Sequence, residues 1–156
     1  MEYILVNWED TEYWIEIKCG YAYRQIIIDS KNNVDISCKT DCLPEGIIKS
    51  EELEGKICNI DSETFERKWK SVCDEYSAIW EEDKRIYPCG THIVGKVKYF
   101  FPQGVIIQIG TSLGVCDFKQ SKEINMHIAL SSGDNIAGVV EGYDETNMWL
   151  KIRTPF

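Results

Sequence analysis

A chain of 156 residues with 44% hydrophobic and 12% aromatic content can pack a core without disulfide or metal staples, which excludes a disordered or fibrous protein. Its formal net charge is −9 at pH 7, from 26 acidic against 17 basic side chains, which matches basic proteins better than polyanions. No apolar run approaches a membrane span, and Met1–Asp10 lacks the basic start of a signal peptide, so the expected location is the cytoplasm.

In chain order, Tyr3–Val6 reads as a short strand and Trp8–Thr11 as a turn. Tyr13, Ile15 and Ile17 then alternate with Glu12, Trp14, Glu16 and Lys18, the pattern of a half-buried strand. Cys19-Gly20 punctuates it, and Tyr21–Ile28 forms the next strand. Asp29–Asn33 resembles a calcium loop only superficially. Lys31 sits where a ligand oxygen is needed and the required glycine is absent, so the stretch is a turn. Val34, Ile36 and Cys38 alternate in a third set. Thr40–Asn59 is loop-rich, broken by Pro44, Gly46 and Gly55, and carries the acidic cluster Glu51, Glu52 and Glu54. That cluster is a candidate protein-binding surface, although a solvated face is the simpler reading.

Asp61 or Ser62 supplies an N-cap, with Glu63 and Glu66 following in the first turn. Phe65, Trp69, Val72, Cys73, Tyr76, Ile79 and Trp80 then fall on one face of an amphipathic helix of about five turns. A helix across a small antiparallel sheet gives an α+β module. Pro88 and Gly90 close the helical region, so the expected division is an acidic α+β module over 1–87 and a second module over 88–156. The first carries 20 acidic and 11 basic side chains, the second 6 of each.

The second module is organised around Val94–Ile109, where apolar residues alternate up to Pro102 and a β-branched run follows Gly104. Leu113-Gly114-Val115, Ser132-Gly133-Asp134, Val139–Asp144 and Leu150–Arg153 come after it. This order resembles the S1-type domain, a five-stranded OB barrel, over residues 90–153. The resemblance implies an all-β barrel and, in its RNA-binding members, aromatic rings on which bases stack. The matching positions here are Gln103, Ile106 and Asp117, and only Asp144 survives from the usual polar set. A base-stacking platform without its rings loses about 1–3 kcal/mol per base.

The seven cysteines (Cys19, Cys38, Cys42, Cys58, Cys73, Cys89 and Cys116) are an odd number with no CxxC spacing, and the histidines are only His92 and His127. That pattern predicts free thiols, no metal and no cofactor. No residue spacing assigns a base to a nucleophile, so an enzyme is not expected.

Three functional classes remain. The first is a non-enzymatic protein that binds a protein partner, with Glu51, Glu52, Glu54, Phe100 and Phe101 as contact residues. Composition and size are similar to those of small acidic bacterial immunity proteins, and Ile60–Trp69 is loosely similar to helix starts among them. That resemblance implies a basic toxin domain as partner. The second is an S1-type binder of RNA or single-stranded DNA, using Lys96, Lys98, Tyr99, Phe100, Lys151 and Arg153, with Lys119 and Lys122 nearby. The third is a scaffold subunit of a larger complex. No membrane partner is expected.

Overall fold

The computed structural model describes residues 1–117 and 130–154, so Lys119, Lys122 and His127 lie outside the described residues. The chain divides into two compact units, Met1–Glu75 and Tyr76–Phe156.

In the first unit, strands β1 (Glu2–Trp8), β2 (Thr11–Lys18), β3 (Tyr21–Ile28), β4 (Val34–Ile36) and β5 (Lys56–Asn59) form an antiparallel sheet in the order β4-β3-β2-β1-β5. Glu9 and Asp10 close the first hairpin and Cys19 and Gly20 the second, all four at positive φ. Two-residue turns of this kind match the right-handed twist of the strands they join. At the following turn the Asp29 carboxylate accepts from the backbone N–H of Lys31 and of Asn33. β5 falls inside the stretch expected to be loop, and pairs Leu5 with Cys58 and Val6 with Ile57.

Register separates the two faces of this sheet. Tyr3, Glu16 and Arg24 stand opposite one another on one face, while Ile4, Ile15 and Gln25 do so on the other. The first face receives helix α1 (Ser62–Cys73), whose Phe65 and Trp69 are buried and whose Phe65 ring lies 5.3 Å from that of Tyr3. Asp61 is the N-cap, accepting from the Thr64 N–H at 2.7 Å. The second face carries Ile4, Val6, Ile15, Ile17 and Ala22, covered by Leu43, Ile48 and Leu53 of the long loop.

The helical segment continues through a 3₁₀ turn, Asp74–Tyr76, into α2 (Ser77–Ile86). Trp80, which the periodicity places on one face with Phe65 and Trp69, packs edge-on against Tyr143 in the second unit, the rings 5.9 Å apart. Its indole N–H donates to Glu145 at 2.7 Å, and the Ser112 hydroxyl donates to the buried Asp83 carboxylate at 2.7 Å. α2 is thereby fixed to the ends of the strands that follow it.

Those strands are β6 (His92–Phe101), β7 (Gly104–Ile109), β8 (Ser112–Cys116), β9 (Asn135–Asp144) and β10 (Trp149–Arg153), closed into a barrel in the order β10-β8-β7-β6-β9. β8 and β10 pair in parallel and every other neighbour is antiparallel, which is the strand arrangement of an OB-like barrel. Val97, Val105, Ile107, Val140, Leu150 and Ile152 are essentially inaccessible and form much of its core. Gly104 opens β7 at φ +151°, and a Cβ there would come within 2.0 Å of the Cys116 carbonyl oxygen. Only a residue without a side chain lets β7 lie this close to β8 at the hairpin.

Candidate functional site

Two surfaces carry the residues singled out by sequence, one in each unit. In the first, Leu43, Ile48 and Leu53 lean on the sheet without filling the space above it. A groove of about 500 Å³ remains between loop and sheet, with Val6, Ile15 and Tyr13 on the sheet side. Trp8 also lines it and is 39% exposed, so its ring is offered to solvent rather than to the core.

The groove is held open by backbone chemistry. The Ile48 N–H donates to the Gly20 carbonyl at 2.7 Å, and the buried Gln25 side chain donates to the Cys42 carbonyl. β5 ties down the far end of the loop. Gly55 makes the junction at φ +98°, where a Cβ would stand 2.4 Å from the Asn7 carbonyl oxygen. The loop therefore has three fixed points, and a partner would meet a largely preformed surface.

Every charged residue lining this groove is acidic: Asp41, Glu52 and Glu54. Glu52 is partly neutralised by Lys49 at 2.8 Å, an exposed pair three residues apart in sequence. Asp41 and Glu54 enter no salt bridge among the described residues. Glu51 is exposed beside them but does not line the groove. Burial pushes the Cys42 thiol up to about 11, so this lining cysteine is protonated and poorly nucleophilic at neutral pH.

Sequence reading identified two of these three acids and missed the apolar floor. A signal for it was present: Leu43, Ile48 and Leu53 recur at equal spacing through a loop that needs no apolar residues unless it is packed. The sheet residues beneath come from three separate strands, and no local pattern joins them.

On the barrel, β6 alternates up to a bulge between Val97 and Tyr99. Ile93, Gly95 and Val97 are buried, while His92, Val94, Lys96, Lys98 and Phe100 are exposed. Lys96, Lys98 and Phe100 are all exposed, with the bulge between Val97 and Tyr99 lying within the stretch that carries them. Tyr99 is half-buried with its ring 4.7 Å from that of Phe101. Phe101 corrects an expectation: it is only 3% exposed, packed between Tyr99 and the fully buried Trp149, and is no contact residue. A bulge between Val97 and Tyr99 interrupts the alternation before it, and the partner of Phe101 across the hairpin is Gly104, which leaves room for the ring. Lys151 and Arg153 are exposed on β10, and Arg153 stands 3.7 Å from Glu141, which offsets part of its charge.

The positions that S1-type RNA binders fill with stacking groups are occupied differently. Ile106 is fully buried, Gln103 is half-buried and Asp117 is an exposed carboxylate. Asp144 is committed to its own turn, accepting from the backbone N–H groups of Thr146 and Asn147 and from the Asn147 side chain at 2.9 to 3.1 Å. Among the described residues no three His, Cys, Asp or Glu side chains are grouped to hold a metal ion, and no helix is long and apolar enough to cross a membrane.

Compared with known proteins, the chain matches no family model and no curated protein.

Proposed function

We propose that this chain is a non-enzymatic binding protein whose acidic first unit recognises a basic protein partner. The observation that carries the reading is the lining of the groove, where all three charged groups are carboxylates above an apolar floor. The first unit as a whole holds 17 acidic and 9 basic side chains, so the local excess sits in a field of the same sign. Such a field accelerates encounter with a basic protein and weakens as salt rises. An inhibitor that covers the cationic substrate site of a toxin, as small acidic immunity proteins do, is the member of this class that size and charge fit best.

A second reading, binding of single-stranded nucleic acid by an S1-type barrel, rests on the exposed residues Lys96, Lys98 and Phe100 of β6. It is weaker because Ile106 is buried and Asp117 presents a carboxylate where bases and phosphates would lie. A scaffold role is the third reading, and no feature of either unit favours it over the first.

Fluorescence anisotropy separates the first two. Labelled lysine-rich peptide and labelled mixed-sequence single-stranded RNA are titrated at low and at physiological salt. The expected result is saturable, salt-sensitive binding of the peptide and none of the RNA. Saturable RNA binding at physiological salt without peptide binding would replace the protein-partner reading with the nucleic-acid one.

A further inference from the structure

The geometry points to a specific kind of segment for the groove of the first unit: a stretch of basic protein chain carrying one large apolar side chain flanked by Lys or Arg. This rests on the protein-partner reading and narrows it, since an acidic surface alone requires no apolar anchor.

Volume and lining set the size and chemistry of the anchor. A groove of about 500 Å³ falls in the range of about 300–1,000 Å³ that takes compact ligands, room enough for a leucine or phenylalanine side chain with part of its backbone. Its floor is aliphatic and aromatic, from Val6, Ile15, Tyr13, Leu43 and Ile48, so a polar anchor would lose its hydration without compensation. Trp8, which lines the groove and is partly exposed, supplies the ring that a neighbouring cation or apolar group would cover.

The rim sets the flanks. Leu53 packs against the apolar cluster and lines the groove, and Glu52 and Glu54, on either side of it in sequence, line the groove as well. Asp41 adds a third carboxylate from the other end of the loop. An acidic or neutral segment would leave Asp41 and Glu54 facing a dry contact uncompensated, which selects against it.

Backbone pairing is not the mode of attachment. β4 is an edge strand of only three residues and β5 one of four, and the groove opens over a face of the sheet rather than along either edge. A segment seated over that face meets side chains rather than a strand edge, so side chains must carry the recognition.

The test uses the full chain and three short labelled peptides: Lys-Lys-Ser-Phe-Ser-Lys-Lys, the same with Gly in place of Phe, and the same with Ser in place of every Lys. Anisotropy at low salt should show the first binding at least about tenfold more tightly than either other, a tenfold change being about 1.4 kcal/mol. The variant Glu52→Gln/Glu54→Gln, at two exposed positions that the fold does not need, should lose about tenfold for the first peptide and flatten its salt dependence. The control Glu63→Gln/Glu75→Gln removes equal charge from exposed helical positions outside the groove and should change affinity less than about twofold, near the noise of a surface substitution. Equal binding of the Phe and Gly peptides would overturn the anchored-groove inference and leave the acidic-surface reading standing. Failure of both basic peptides would remove that reading as well. Tight binding of the uncharged peptide, or equal losses in the two double variants, would show that the rim does not select the partner.

Discussion

Arg24 and Glu16 are charged side chains sealed between sheet and helix, with 6% and 7% of their side-chain surface exposed. Burial disfavours the Arg24 charge, but hydrogen bonds to Glu66 and Glu16 outweigh it and hold the guanidinium protonated. The group also lies 5.0 Å from the ring centres of both Phe65 and Trp69. Replacing Arg24 by Met removes the cation while leaving Glu16 buried, and should cost about 3–5 kcal/mol. Urea unfolding should show this as a lower midpoint with little change in slope, and adding Glu16→Leu should recover much of the loss. Thiols give a second check at this scale. Cys19 and Cys89 are exposed and should react with a thiol reagent at once, whereas Cys38 and Cys116 are buried and should react only on unfolding. The buried charge was not legible in the sequence, because Glu16 and Arg24 look like solvent-facing members of alternating strands until α1 covers that face. The burial of Phe101 was not legible either, because a bulge between Val97 and Tyr99 interrupts the alternation of Ile93, Gly95 and Val97.

At the level of elements, α1 depends on a single capping carboxylate. The hydrogen bonds that Asp61 accepts from Thr64 hold its carboxyl below the usual carboxylate range. A carboxylate lowered in the folded state contributes stability above its unfolded pKa of about 3.9, and the contribution is lost as pH falls through the folded value. Asp61→Asn keeps an acceptor for the Thr64 N–H without the charge. It should flatten that part of the acid unfolding profile, while Asp61→Ala should lower the melting temperature at pH 7 as well; circular dichroism reads both. In the barrel, Gly104→Ala combines a strained positive φ with a collision against Cys116, and should destabilise by about 1–3 kcal/mol or more. The cap, the buried Phe65, Trp69 and Trp80 of the helical face and the barrel glycines were readable because each is a local rule written in neighbouring residues, whereas Ile79 of that expected face is 55% exposed. β5 was not, since Lys56–Asn59 is four residues long and acquires its identity only by pairing with β1.

For the whole molecule, each unit has apolar residues gathered into a core of its own. Segments 1–75 and 76–156, expressed separately, should each unfold cooperatively in heat-monitored circular dichroism. A non-cooperative transition in either would show that its core is insufficient alone. The acidic balance was plain from composition, but its placement around a groove was not, because Val6, Ile15, Gln25 and Leu43 meet only once the sheet has formed and the loop has folded over it.

The brevity of the outer strands β4 and β5 bears on how the proposed recognition can change over time. Under the proposed function, with outer strands of only three and four residues in that sheet, discrimination among partners falls to the side chains of the Asp41–Glu54 loop. That loop is fastened at its ends and near its middle by main-chain groups, so substitutions at its exposed side chains leave its course intact. Descendants of this chain could therefore acquire new partners through a few replacements on one loop, each tested by selection without risking the architecture beneath.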